Sequence, residues 1–206
     1  MAPNTRTPHT DLEADEVAAT RIADPSVADV RPTLVEVPAA PYLSIEGGDA
    51  PLGAGIDDAI RALQLLGAEL AASAGGARPI EVLRWLPHVN LWDVIDTSIW
   101  RWRVMIARDD GERAVASAVR ALRRHRSLPV LDALGLTTLE EGRCVQALHR
   151  GGTATMRRTL ARIQIFALER GLAPAGPRHD ISLTDPLRST SPAMRTILRR
   201  PVLPAG

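Results

Sequence analysis

The spacing of apolar residues changes several times along the chain, and each change predicts an element. Ile56, Ile60, Leu63, Leu66 and Leu70 recur at three- and four-residue steps, the signature of one helix face, and Gly75-Gly76 supplies a stop. Met156, Leu160, Ile163 and Ala167 form a second such stripe, predicting a helix from about residue 155 to 170 with Gly171 at its C-terminal cap. Val115, Val119 and Leu122 predict a connector helix at 111–124, and "SLPVLDALGL" continues it to about 134 as a turn and short helix. Between these stripes the period falls to two. "RPTLVEVPAAPYLSIEGG" reads as two short strands interrupted by prolines, and "RPIEVLRWL", "SIWRWRVMIA", "EGRCVQALH", "PRHDISLTD" and "RTILRRPV" as one strand each. In "SIWRWRVMIA" the alternation sends Trp100, Trp102, Val104 and Ile106 to one face and Arg101, Arg103 and Met105 to the other.

Strand, helix, strand, strand therefore occurs twice. The expectation is an α+β fold of duplicated βαββ repeats, at about 32–107 and 138–203, with antiparallel sheets around a central ligand cleft. The connector, at about 111–134, joins them. Residues 1–31 mix Pro, Thr, Asp and Ala without sustained periodicity and read as a flexible tail, with a short helix near Leu12–Ile22.

Composition narrows the class. At 206 residues the chain suffices for one fair-sized domain or two small ones sharing a core. No apolar run reaches the roughly 18 residues that cross a bilayer. A single cysteine, Cys144, and a polar, acidic N-terminus point to the cytoplasm. Cys144 itself reads as a buried strand residue, with a reactive thiol as the alternative. Histidine aside, all 25 basic side chains are arginine. Residues 1–31 carry six acids against three arginines, whereas Arg101 to Arg200 hold nineteen arginines against nine acids. A basic half attracts anionic ligands or nucleic acid, but these arginines are scattered over several elements, which is also how a solvated basic surface looks.

Familiar catalytic signatures are missing. Gly53-Ala54-Gly55 lacks the third glycine of a dinucleotide loop, and no parallel-sheet pattern follows it. His88, His125, His149 and His179 have no metal-ligand spacing. No Gly-x-Ser-x-Gly elbow presents a serine nucleophile. The reading calls for no metal and no cofactor. No helix-turn-helix segment precedes the domain, so a DNA-binding role ranks last.

Three segments carry a resemblance. "EEGRCVQALHRG", "RHDISLTDP" and "RTILRRPV" resemble, in order, the E-E-G-x-C-V-Q-x-x-H-x-G-P-Y, H-H-E-I-Y-L-S-D-P and K-T-I-I-R-x-P-V segments of GyrI-like small-molecule-binding proteins. "RPIEVLRW" and "SIWRWRVMI" resemble that family's P-L-E-G-L-W-W and W-x-W-x-M-M-I strands, and the similarity runs from about Leu34 to Val202. It implies paired βαββ repeats around a ligand cleft. Some stand-alone members are similar to hydrolases that add water to cyclopropane-bearing, DNA-alkylating natural products. Others bind drugs or serve as effector domains.

Carried over by position, the family's glutamate in H-H-E-I-Y falls on Asp180, its tyrosine on Ser182 and its first histidine on Arg178. Glu81 keeps the acid of P-L-E-G-L-W-W and Trp85 its last tryptophan, while Arg84 replaces the other. Gly152 and Thr153 replace the Pro-Tyr of the H-x-G-P-Y stretch. The expected catalytic residues are the carboxylates Asp180 and Glu81, with Asp180 or Glu81 as general base and the pKa of Asp180 raised by burial beside Trp100 or Trp102. Trp85, Trp92, Trp100, Trp102, His149, His179 and Ser182 are expected around the ligand, a hydrophobic aromatic molecule stacked on indoles, with Trp92 as lid. Two functions follow: hydrolysis of that ligand, or capture without chemistry. The oligomeric state stays open.

Overall fold

The computed structural model of the chain describes residues 28–48, 54–74, 78–86, 100–107 and 110–206. In chain order the elements are β1 (Thr33–Val37), β2 (Ala40–Gly48), α1 (Ala54–Ala74), β3 (Ile80–Trp85), β4 (Arg101–Ala107), α2 (Glu112–Arg123), β5 (Leu134–Leu139), β6 (Gly142–Arg150), α3 (Met156–Leu168), β7 (Leu172–Pro174), β8 (Arg178–Ser182) and β9 (Arg195–Pro204). The sheet runs β1-β6-β9-β8-β3-β4-β2-β5, every pair antiparallel, with β7 added beside β9.

That order is a palindrome about the β8–β3 seam. Each half contributes the first, last and middle strand of one repeat, and each outer edge is closed by the strand preceding the other repeat. β1 pairs with β6, and β5 with β2. Pro79 and Pro177 stand ahead of the two central strands, where a missing N–H costs no ladder bond.

Both helices lie on one face of the sheet. α1 packs on β4, β2 and β3, and α3 on β6, β9 and β7. The predicted α1 stripe is fully realised: Ile56, Ile60, Leu63, Leu66 and Leu70 are all buried against Leu43, Ile45, Val82 and Val104. At about 1.5–3 kcal/mol per buried aliphatic side chain, this stripe outweighs any end effect on the helix. Met156, Leu160, Ile163 and Ala167 do the same for α3 against Val145, Ala147 and Leu198. Gly171 closes α3 with φ +62°, a conformation side-chain-bearing residues rarely adopt. Cys144 is fully buried on β6, and burial pushes its thiol pKa far up, which removes the reactive thiolate.

The connector differs from expectation. α2 ends at Arg123, a short 3-10 turn spans Pro129–Ala133, and Leu134–Leu139 form β5. This edge strand was hidden in the pattern because Leu136 is 55% exposed, so its alternation marks no buried face. Three-residue β7 was likewise too short to signal. At the other end, residues 28–31 of the expected tail lie beside β6, where Leu148 N–H donates to the Asp29 carbonyl at 2.7 Å and Arg162 donates to that of Val30. The helix expected near Leu12–Ile22, the Gly75-Gly76 stop and Trp92 fall outside the described residues.

Candidate functional site

The registers decide what meets at the seam. Val82 faces Asp180 and Arg84 faces Arg178 across β3–β8, while Asp180 faces Leu198 across β8–β9. Since Val82 and Leu198 pack against the helices, Arg84, Arg178, Asp180 and Ser182 share the helix side of the sheet. This is the strip between α1 and α3, and β8 has neither helix as a main packing partner.

Asp180 is 4% exposed and held from two strands. Arg178 donates from Nε to Oδ1 at 2.9 Å and from its terminal nitrogen to Oδ2 at 2.8 Å, and Arg84 donates to Oδ2 at 2.6 Å. Burial alone would raise this carboxyl, but the Arg178 and Arg84 charges more than offset it and hold the pKa below its ordinary value. Arg200 lies on the same side one strand further on. Burial, then the neighbouring Arg178 charge, lowers both Arg84 and Arg200 to about 10, with Asp180 opposing.

A second cluster occupies the reverse side of the same strands. His179 is completely buried, with Nδ1 donating to Glu141 Oε2 at 2.9 Å. Its Nε2 lies 2.9 Å from Glu81 Oε2, an ionic contact short of hydrogen-bond alignment. Tyr42 donates its hydroxyl to the same Glu81 oxygen at 3.2 Å. Arg199 donates to Glu141 Oε2 at 2.8 Å and to Gln146 Oε1 at 3.1 Å. Burial disfavours the imidazolium, yet the two carboxylates prevail and raise His179 to about 9. Glu141, against the pull of burial, is lowered to about 2 by His179 and Arg199. Both imidazole nitrogens face carboxylates, and no metal-ligand group forms among the described residues. The network ties β2, β3, β6, β8 and β9 together from behind.

This network predicts a pH dependence of stability. The folded His179 pKa exceeds its unfolded 6.5, so that contribution is complete below about 6.5 and lost as pH rises through about 9. Glu141 is depressed from 4.5, so its contribution is complete above about 4.5 and lost as pH falls through about 2. The melting temperature should therefore peak between about pH 4.5 and 6.5, and His179→Gln should flatten the alkaline decline. An alkaline limb identical in the variant would remove the imidazolium from the stability account.

Comparison with known proteins bears on the fold. The chain matches no family model and no curated protein sequence. Among solved structures it is similar to an uncharacterized conserved protein from Listeria innocua, at 25% identity and TM-score 0.73, over 86% of this chain and 94% of that one. A Listeria innocua protein described as a hydrolase, encoded by lin2189, superposes with TM-score 0.71 at 24% identity, again over 86% and 94% of the two chains. The EcmrR C-terminal domain superposes with TM-score 0.57 at 11% identity, over 84% of this chain and 98% of that domain. The α+β fold is GyrI-like.

Within this GyrI-like frame the expected site residues separate. Asp180 and Glu81 occupy opposite sides of the seam, because Glu81 precedes Val82 by one residue and strand alternation reverses it. The expected pair of carboxylates does not form. The electrostatics of Asp180 are also the reverse of those expected: two guanidiniums hold it, and its pKa falls rather than rises. Ser182 is half-buried on the helix side with Asp180. His179 belongs to the reverse network. His149 is a structural tie, hydrogen-bonded through Nδ1 to Thr159 Oγ1 at 2.9 Å and through Nε2 to the Gly152 carbonyl at 3.2 Å.

The tryptophans divide too. Trp85 packs on the reverse side with Tyr42, Leu83 and Met105. Trp102 is in the α1 core and lies against Gly47, where a Cβ would come 2.1 Å from its ring. Trp100 is half-buried, and its indole Nε1 is buried without an acceptor among the described residues. Arg84, Arg200, Glu141, Arg199, Tyr42 and Gln146 were not anticipated as site residues. Glu141 and Gln146 carried a signal in the E-E-G-x-C-V-Q segment, and Arg199 in the K-T-I-I-R-x-P-V segment.

Proposed function

We propose that the chain binds a planar aromatic small molecule in the strip between α1 and α3, over the β3–β8 seam, and adds water to it. The observation that carries this reading is Asp180, a buried carboxylate fixed by Arg84 and Arg178 on the side that the helices leave between them. A duplicated fold brings its two central strands together here, and clefts between repeats are natural ligand sites. The description of similar Listeria innocua structures as hydrolases agrees with the reaction class.

The geometry refines the roles. Asp180 stays ionised throughout the neutral range, so it orients a water and accepts its hydrogen bond rather than acting as a base tuned near pH 7. Arg84 and Arg178 face the charge that builds on a conjugated acceptor as a strained ring opens. In that step the water oxygen bonds to a ring carbon, the strained carbon–carbon bond breaks, and the water proton ends on the released carbon. Glu81 and His179 act from behind, holding β3 and β8 in register.

Incubation with a panel of cyclopropane-bearing aromatics, followed by mass spectrometry, should reveal a product heavier by one water. Because Asp180 is held below its ordinary value, the rate should be flat from about pH 6 to 8. Ligand retention with no mass gain across the panel would support capture without chemistry. A bell-shaped profile centred near pH 7 would place the acid–base groups elsewhere.

A further inference from the structure

The duplication reaches further along the chain than the two repeats. β5 precedes the second repeat and closes the edge of the first against β2; β1 precedes the first repeat and closes the edge of the second against β6. Ahead of β5 stands α2, which packs on α1 and buries Val115, Ala118 and Leu122 in the first core. The same symmetry calls for a helix ahead of β1 that packs on α3. Residues 124–133 separate α2 from β5, and residues 23–32 separate Ile22 from β1, so the counterpart of α2 falls on residues 12–22. That stretch lies outside the described residues, but its sequence has what a helix needs. Thr10 and Glu13 stand at capping-box spacing, residues 12–22 hold neither proline nor glycine, and Pro25 follows as a stop. Ala14, Val17, Ala18 and Ile22 fall on one helix face.

α3 offers the matching surface. It packs on β6, β7 and β9, and among the described residues no α-helix is one of its main partners. Aligning Ile56, Ile60 and Leu63 of α1 with Met156, Leu160 and Ile163 of α3 sets Ala62 and Leu66 against Arg162 and Phe166. Ala62 and Leu66 are fully buried, whereas Arg162 is exposed and Phe166 half-buried. Next to them Ile165 and Leu168 are 55% and 58% exposed, an apolar stripe left open on a helix that has three arginines and no acid. Residues 11–16 carry the opposite charge, in Asp11, Glu13, Asp15 and Glu16. The chain also returns to α3 directly after this stretch, where Arg162 donates to the Val30 carbonyl. We propose that residues 12–22 form a helix docked on the outer face of α3, its apolar side on Ile165 and Leu168 and its acids among Arg157, Arg158 and Arg162. The reach suffices: six residue steps from Ile22 to Ala28 span up to about 20 Å, which is about the length of α3. The segment is then a part of the domain, the counterpart of α2, rather than a tail.

Amide hydrogen exchange of the full chain, read by mass spectrometry, tests this. Exchange in residues 12–22 should be slowed about tenfold or more relative to the same sequence as a free peptide. Ile165→Glu removes an apolar contact and sets a like charge against the acidic segment, so it should return residues 12–22 to the peptide rate. Because position 165 is more than half exposed, protection of β8 and β9 should be unchanged in that variant. Arg158→Glu combined with Arg162→Glu should also release the segment, and removal of residues 1–27 should speed exchange along α3. Peptide-rate exchange of residues 12–22 in the parent would overturn the proposal, and so would protection that survives both α3 variants. Protection of α3 that persists after the truncation and grows with protein concentration would make a second copy of the chain the occupant, and would overturn docking within one chain.

Discussion

Glu141→Gln should lower the free energy of unfolding by about 3–5 kcal/mol, the usual cost of removing one partner from a buried ionic network. The carboxylate sits between His179 and Arg199, and its Oε2 accepts from both. Glutamine keeps the volume but takes away the negative charge. Two buried cations would then lie together with Glu81, among the described residues, to offset them. The imidazole would release its proton, and the His179 pKa, now about 9, should fall toward or below neutrality. At a few degrees per kcal/mol for a chain of this size, the melting temperature should drop by roughly 10 °C. Thermal unfolding, with NMR titration of the His179 ring, checks both halves. A variant as stable as the parent would mean that the network adds specificity but little stability.

Asp180→Asn should have the next largest effect, and it acts on the other side of the seam. Asparagine is nearly isosteric, yet it deprives Arg84 and Arg178 of their common counter-charge. Stability should fall by about 3–5 kcal/mol at low ionic strength. Sulfate or phosphate at millimolar concentration should restore the variant more than it stabilises the parent, by filling the vacated negative position. For any substrate confirmed by the one-water mass gain, turnover should fall by about a hundredfold. Asp180→Glu adds a methylene under two guanidiniums and should lose part of the two-bond contact with Arg178. A folded Asp180→Asn chain with unchanged stability, indifferent to anions, would make the arginines a solvated surface after all.

Residues of similar appearance in the sequence proved unequal. The helix stripes were legible because a buried helix face needs apolar residues every three or four positions, and Leu63, Leu66 and Ile163 supply them with no long-range information. Strands β3, β4, β6, β8 and β9 were legible from alternation and from ordered segments resembling one family. β5 was not, since an exposed edge strand leaves little pattern. Asp180 was picked out by position, but its chemistry was misread, because the pKa of a carboxylate depends on which groups lie within a few ångströms of it. Arg84 and Arg178 are 94 positions apart in the chain and adjacent in the sheet.

Sequence alone thus determined the α+β class, the duplication, the three helices with their inward faces, and the candidate strands on which the acids lie. Tertiary structure alone decided which side of the sheet each acid faces. Alternation tells that Glu81 and Val82 point oppositely, but only the Val82–Asp180 register tells that Glu81 and Asp180 are on opposite sides of the seam. A shift of that register by one residue would have put both carboxylates on one side, with the same sequence and the same strands. Pairing between distant strands sets it, and with it the separation of a buried imidazolium network from a row of arginines.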